Sequence, residues 1–425
     1  MSNANYNLEE QLRQDRKLDN ARRRKRRLRR FFPLLLLLLL LFAAVLFLFL
    51  SGNHAPSQET ITTEAPVLGS SVATLSFVGD ISLDEAIIEN FRAGAGYDFT
   101  PLFQRIVPRL AMADLTLGNL EGNVIGTYEA ADHCYPPALL QALYAAGFDI
   151  LQTSNSYTIQ NGITGLTATK QAIQAAGMDA LGTWISQEDR SENGVLIREV
   201  NGIRIAFLSF TKGMNNLRLP TGSEYCVNLL YSDYDTNYSK IASSAIAEVV
   251  EEARMQRPDV IIAMVHWGSE YDKQVADSQE EIAELLFDNG VNLIIGSHSH
   301  YVGPMELKDK KISSYGGNLV AYSLGDFVSV SDSSSARNGC VLSVTIQKDG
   351  DDIRITDLTY VPTYSAAPSE SLEISTYEVL DTLNAISFYK QGYYDRVSDK
   401  LYEQLVSALD KMKEQTGMPD NIAEK

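Results

Sequence analysis

Five histidines serve a chain of 425 residues, and two of them stand one residue apart in Gly296-Ser297-His298-Ser299-His300. They follow the apolar run Val291-Asn292-Leu293-Ile294-Ile295, which reads as a buried strand. A third, His266, closes the apolar run "DVIIAMVHWG". Asp80 closes "VATLSFVGD", Asn119 and Glu121 close "DLTLGNLEG", and Asn155 closes "FDILQTSN". Imidazole nitrogens beside carboxylate and carboxamide oxygens form a donor set for Mn, Zn or Fe, as one ion or two. Histidines at i and i+2 share one face of a straight strand. On the turn beyond the strand they can splay toward two ions about 3.5–4 Å apart. Each motif alone has an ordinary alternative. Gly79-Asp80 can be a plain turn, and His266 beside Trp267 can be a core histidine with satisfied nitrogens. Their coincidence at strand ends favours the metal site. His133, in "DHCYPP", ends no strand and reads as loop; His54 reads as solvated linker.

The elements that must position these residues follow from hydrophobic periodicity. From Val72 onward short apolar runs alternate with helical stretches, which argues an α/β fold with largely parallel strands. Chemistry in such folds collects beyond the C-terminal ends of strands. "PALLQALYAAG", "TGLTATKQAIQAAG" and "QEEIAELLFDNG" have helical spacing, and a further helix is expected over about 237–256. "VLIREVNGIRIAFLSF" reads as a hairpin turning at Asn201-Gly202. Residues 312–362 read as strands and hairpins, and 374–415 as mostly helical.

The N-terminus has a different composition. "RRRKRRLRR" (22–30) runs into 20 uncharged residues, 31–50, enough for a helix of roughly 30 Å that spans a bilayer. A cleaved signal peptide has a shorter apolar region of roughly 7–15 residues, so a retained anchor is expected. The basic block keeps its own side cytoplasmic and sends the rest outside. The expected order is therefore a basic cytoplasmic tail (1–30), a transmembrane anchor (31–50), a polar linker (51–70), a folded domain (71–365) and a C-terminal helical extension (366–425). The expected location is the cell membrane, single-pass, with the C-terminal domain extracellular. Residues 1–30 hold 11 Lys+Arg and 4 Asp+Glu; the 25 basic and 50 acidic residues elsewhere leave the outer part at −25. So acidic a body does not attract nucleic acid, and the basic block beside an apolar span is an orientation signal and an anionic-lipid contact. Three cysteines, Cys134, Cys226 and Cys340, leave room for one bridge in an oxidising compartment.

"FVGD", "YDFTPLF", "ADLTLGNLEG", "AAGFDILQTSNSY", "NGITGL", "VHWGSEY", "GSHSH" and "YSLGDFV" occur in this order over about 73–330. The set resembles the bacterial capsule-synthesis family typified by CapA and PgsA, membrane-anchored proteins tied to poly-γ-glutamate capsule production. The resemblance implies a calcineurin-type metallophosphoesterase fold: a four-layer α-β-β-α sandwich with a two-metal site. It implies Asp80, Glu121, His266, His298 and His300 as ligands, with Asn119 beside Glu121. Where the family has Asn-Asn-His, this chain has Asn155-Ser156-Tyr157, and Gln160 replaces an Asp. Ser156 thus stands at a metal-binding Asn and Tyr157 at the general-acid His, and a phenol is far less acidic than imidazole near neutrality. "YSLGDFV" carries Asp326 where the family has Asn, so Asp326 is a replacement ligand or a support behind the ligands.

Two function classes follow. One is a metal-dependent hydrolase or transferase on a capsule or cell-wall polymer. The other is a weakly active protein or assembly subunit that binds the anionic polymer or the capsule synthase subunits. The changes at 156 and 157 favour the second, and the kept histidines favour the first.

Overall fold

Eight strands make one sheet and six make another, and every candidate ligand lies where strands of the two end. The computed structural model describes residues 70–126, 133–308, 318–329 and 337–417. The basic block and the apolar run 31–50 lie outside the described residues, among which no helix is long and apolar enough to cross a membrane.

The first sheet holds β1 (Ser71–Ile81), β2 (Leu115–Leu120), β3 (Ile150–Gln152), β4 (Asp179–Leu181), β11 (Asp326–Val328), β12 (Asn338–Asp349), β13 (Asp352–Ala366) and β14 (Glu378–Asp381). Its order is β14-β13-β12-β1-β2-β3-β4, with β11 pairing β1 where β12 leaves it. The second sheet holds β5 (Leu196–Val200), β6 (Ile203–Thr211), β7 (Val260–His266), β8 (Leu293–Ser297), β9 (Met305–Leu307) and β10 (Leu319–Ala321), in the order β9-β10-β8-β7-β6-β5. Strands β1 to β4 pair in parallel, as do β6, β7, β8 and β10. β11 also runs parallel to β1, while the other pairings of the two sheets are antiparallel, including the long β12–β13 hairpin, so the sheets are more mixed than the alternating pattern implied.

Period-2 alternation sets the layers. Along β6, Ile205 and Phe207 enter a core shared with Phe77, Leu117, Ile262 and Leu293 of both sheets. Ala206 and Leu208 face the other way, onto α4 (Ser243–Met255) and α5 (Asp277–Asn289) through Ile246, Val250, Ile282 and Leu286. On the first sheet Val78, Leu120 and Leu151 pack against α1 (Glu85–Asn90), α2 (Ala138–Ala146) and α3 (Gly162–Ala175) through Ile87, Leu139, Leu143 and Ile173. Each such side chain, fully buried, contributes about 1.5–3 kcal/mol. Strands apolar on both faces read as continuous runs, which is why β7 and β8 were recognisable.

The hairpin turn falls at Asn201-Gly202, with φ of 52° and 85°, the pair of positive values a two-residue turn of this kind requires. The expected helix over 237–256 is shorter. Asp233 accepts from the Ser239 and Lys240 amides at 3.0 and 2.9 Å, which holds that stretch in a turn. Within the C-terminal stretch, residues 378–381 are a strand, and α6 (Thr382–Lys390) and α7 (Asp399–Thr416) pack on β13 through Tyr364, Leu401 and Leu405. No disulfide joins the cysteines. All three are buried, and Cys340 and Cys226 lie in separate apolar clusters.

Candidate metal centre

Asp80 reaches the site because two glycines let two strands meet. A Cβ on Gly79 would collide with the Gly325 carbonyl, and that carbonyl accepts from the Asp80 amide at 2.9 Å. The contact aligns Asp80 with Asp326 across β1 and β11. Asn119 is next to last in β2, beside Asp80, and its Nδ2 donates to Asp80 Oδ1 at 2.7 Å, while Leu120 closes the strand. Glu121 follows it. His266 ends β7, level with Ser297 at the end of β8. His298 and His300 lie beyond β8 at φ of 100° and 61°. That backbone turns their rings apart to centroids 6.4 Å from each other, the splayed arrangement.

Two donor groups result, each with ligand atoms within 4.8 Å of one another: Glu121, His266 and His298; and Asp80, Glu121 and His300. Glu121 belongs to both groups, so its carboxylate is shared between them. Whether these residues suit a cation is tested by what they lack. Both Glu121 carboxylate oxygens and both His298 ring nitrogens are buried without a hydrogen-bond partner among the described residues. Buried polar groups are almost always paired, and a lone carboxylate is among the costliest exceptions. The donor set fits a divalent ion.

Hydrogen bonds hold the remaining donors. His266 Nδ1 lies 3.0 Å from Ser297 Oγ, and Nε2 lies 3.0 Å from Ser156 Oγ. Its Nε2 approaches Glu121 Oε1 at 3.4 Å. This is not an ion pair, since burial, then the charges of His298 and Lys212, hold His266 well below the usual imidazole range. Burial and then Lys212 do the same to His298. Neutral imidazoles are the form that binds metal. Burial drives Glu121 well above the carboxylate range, with Asp80 adding to it, and lifts Asp80 to about 6. His300 behaves oppositely. Burial lowers it, but the hydrogen bond and charge of Asp326 prevail and push it up to about 11. That bond, His300 Nδ1 to Asp326 Oδ1, measures 2.8 Å. A carboxylate behind a ligating imidazole fixes ring orientation and raises its basicity. Asp326 thus stands behind His300 and is absent from both donor groups.

The loop after β3 carries the unusual residues. Asn155 Nδ2 donates to Asn119 Oδ1 at 3.0 Å and to the Leu120 carbonyl at 2.8 Å, and Asn155 Oδ1 accepts from the Tyr157 amide at 3.0 Å. Its carboxamide therefore ties the loop to β2. Ser156 points into the site, at His266. Burial lifts the Tyr157 phenol to about 12, with Glu121 and Glu270 adding to the rise. The Tyr157 ring stacks on His133, centroids 3.5 Å apart at 8°. His133, read from sequence as loop, is therefore at the site's edge; nothing in its local pattern signals a contact across 24 residues. Ser297 was within reach of sequence reasoning, since it sits inside the quoted His motif. Lys212, one residue past β6, also closes an apolar strand, but an ammonium offers no lone pair to a metal and so falls outside a donor pattern of carboxylates, carboxamides and imidazoles.

Comparison with known proteins identifies the family of the chain. The model of the family described as bacterial capsule synthesis protein PGA_cap matches residues 74–331, more than half the chain. The PGA biosynthesis protein CapA of Bacillus subtilis is 27% identical over 316 residues, 72% of this chain and 75% of that one. The capsule biosynthesis protein CapA of Bacillus anthracis is 26% identical over 264 residues, 60% of this chain and 59% of that one. Among solved structures, the calcineurin-like phosphoesterase YfkN of Bacillus subtilis aligns at 13% identity and a TM-score of 0.41, over 81% of this chain and 100% of that one. A phosphatase of Mycoplasma pneumoniae aligns at 14% and 0.40, over 69% and 94%. Likeness at that level says nothing of chemistry. The match over 74–331 does carry weight: it spans all the strand ends that supply Asp80, Glu121, His266, His298 and His300, and the chain belongs to the bacterial capsule synthesis protein family.

Proposed function

We propose that the chain is a membrane-anchored, outward-facing protein of capsule biosynthesis or export, of the poly-γ-glutamate type. Its strand-end cluster holds one or two divalent ions in a metallophosphoesterase-type site that is partly degenerate, so the protein is weakly active or an assembly subunit. The carrying observation is the shared carboxylate of Glu121, with both oxygens buried and unpartnered beside the equally unpartnered ring of His298. The two sheets with helices on both outer faces support a four-layer fold of this type. The basic block and apolar run 31–50 support the anchor and the outward orientation. Capsule synthase subunits and an anionic or cell-wall polymer are the proposed partners, and the cytoplasmic membrane the proposed location.

An ion bound there supplies Lewis acidity. Asp80, Glu121, His266, His298 and His300 would hold it, and Asn119 and Asp326 orient Asp80 and His300. Proton supply is the weak part. Tyr157 keeps its proton to about pH 12, which makes it a poor general acid at neutrality. Ser156 offers a hydroxyl where a carboxamide would be the stronger donor to an ion. One observation favours an active hydrolase on the polymer: the complete carboxylate–imidazole cluster is retained at the strand ends. Metal analysis of the purified protein, followed by turnover of a generic phosphodiester, tests both readings. A protein that binds no divalent metal ends the proposal; robust turnover, undiminished in Tyr157→Phe, moves the enzyme reading ahead.

A further inference from the structure

Lys212 is the cation that the metal-centre reading leaves unexplained. It follows Thr211, which pairs with His266 across the parallel strands β6 and β7, and its backbone amide donates to the His266 carbonyl at 2.8 Å. It thus belongs to the row of strand ends that supplies the ligands. The side chain is partly buried. Its Nζ donates to the Gly268 carbonyl at 2.7 Å and lies 5.0 Å from the centre of the Tyr238 ring. An ammonium has three donors, and this is the single hydrogen bond the described residues give it. No carboxylate among the described residues forms an ion pair with it. The negative charge that acts on it is that of exposed Glu270, on the loop after β7. Its own field falls on the rings of His266 and His298.

We propose that Lys212 is an oxyanion-recognition residue: its ammonium takes a carboxylate or phosphate oxygen of the substrate polymer beside the metal centre. The inference rests on the metal reading and adds a substrate class to it. Charge balance is the first argument. Asp80, Glu121 and Asp326 bring three negative charges to the cluster, and Glu270 a fourth at its rim. In the two-ion form four positive charges come with the metal and a fifth with Lys212, so that form carries net positive charge in a poorly hydrated place. Such a site is completed by an anion. Order is the second argument. Gly268 and Tyr238 already hold the Lys212 arm, so little side-chain freedom is lost when an anion arrives. A strut that served only to occupy the Gly268 carbonyl would need a donor but no charge, and that difference is measurable.

Lys212→Gln keeps a donor for the Gly268 carbonyl and removes the charge; Lys212→Met removes both. The full-length protein in detergent, loaded with Mn2+, is titrated calorimetrically with inorganic phosphate and, separately, with a short γ-glutamyl oligomer. Both variants are expected to bind Mn2+ at least as tightly as wild type, since a repelling cation is gone. Both are expected to bind the preferred anion ten times more weakly or worse. Phosphate preferred over the oligomer identifies a phosphoryl source, and the reverse identifies the polymer's own carboxylates. Anion affinity within a few-fold of wild type in Mn2+-loaded Lys212→Gln overturns the inference and leaves the metal reading intact. So does loss of Mn2+ in Lys212→Gln, which makes the residue a strut. A wild type that binds no Mn2+ overturns the metal reading underneath, and the inference with it.

Discussion

Asp80→Asn is a substitution whose effect should change sign with metal. Burial lifts the Asp80 carboxyl from the usual 3.8 to about 6; His300 opposes the rise, Asp326 adds to it, and the donors Asn119 and His298 N–H oppose it. A carboxyl raised in the fold contributes stability that is complete below pH 3.8 and lost as pH climbs through about 6. At pH 8 the metal-free protein has lost about 3 kcal/mol on this account, the worth of a rise from 3.8 to about 6. Asparagine keeps the size and drops the charge. Its carboxamide cannot accept from both Asn119 Nδ2 and the His298 amide, which now meet one oxygen and one NH2 group; that returns about 1–2 kcal/mol. The net expectation is a metal-free variant more stable than wild type at pH 8 by about 1–2 kcal/mol, roughly 1–3 °C in Tm for a body of this size. Near pH 5 the advantage should vanish. With a divalent ion at a hundred times its Kd, wild type gains about 2.7 kcal/mol. The variant, lacking a donor from the Asp80, Glu121 and His300 group, should gain little, and the order of melting temperatures reverses. Thermal melts in chelator and in Mn2+, at pH 5 and pH 8, read all four conditions. A variant less stable than wild type in chelator at pH 8 would refute the reasoning, because Asp80 would then serve the fold through its hydrogen bonds.

Changing both His298 and His300 to Ala should abolish bound metal with the circular dichroism spectrum retained; unchanged metal content on elemental analysis would sink the site. Asp326→Asn should weaken metal binding about 10–100-fold by releasing the His300 ring, read as a Mn2+ titration. Because Asp80 must lose its proton to ligate, and Glu121 and His300 hold theirs to higher pH, apparent metal affinity should rise by at least about tenfold per pH unit up to about pH 6 and go on rising above it; a flat profile from pH 5 to 7 contradicts this. Ser156→Asn with Tyr157→His should raise turnover of a generic phosphodiester, by up to about 10²–10⁴-fold if the acid alone limits it, while either change without metal should do nothing. Residues 71–425 should be recovered as a soluble protein once 1–50 are removed; recovery only in detergent counts against the single-anchor reading.

The strand ends were legible because a buried strand is a short apolar run, and a polar residue that closes one is conspicuous. Asp80, Glu121 and His266 were found on that rule alone. The turn at Asn201-Gly202 was legible because few residues tolerate two successive positive φ values. Strand partners were less legible. The antiparallel half of each sheet, and the strand at 378–381, depend on tertiary pairing that no local period records. The truncated helix before Ser243 turned on Asp233 capturing two backbone amides, a side-chain event inside a plausible helical pattern. Asp326 reads from its motif as a replacement ligand or a support behind the ligands, and its 2.8 Å bond to His300 depends on Gly79 and Gly325 bringing β1 and β11 together.

The loop after β3 and the strand-end cluster separate two roles that one site usually combines. Holding an ion requires donors without other partners, and Glu121 and His298 have none. Without a cation these groups cost stability and return nothing, so a site that had abandoned metal would be better served by apolar residues of similar volume. Supplying a proton requires a group that titrates near the working pH, and Tyr157 does not. The retained cost lies with metal binding, and the change lies with proton transfer. An ion that gathers an anionic polymer needs the first and not the second. Residues 31–425 carry a net charge of −25, so an ion held there would also lower the barrier to any polyanion that approaches.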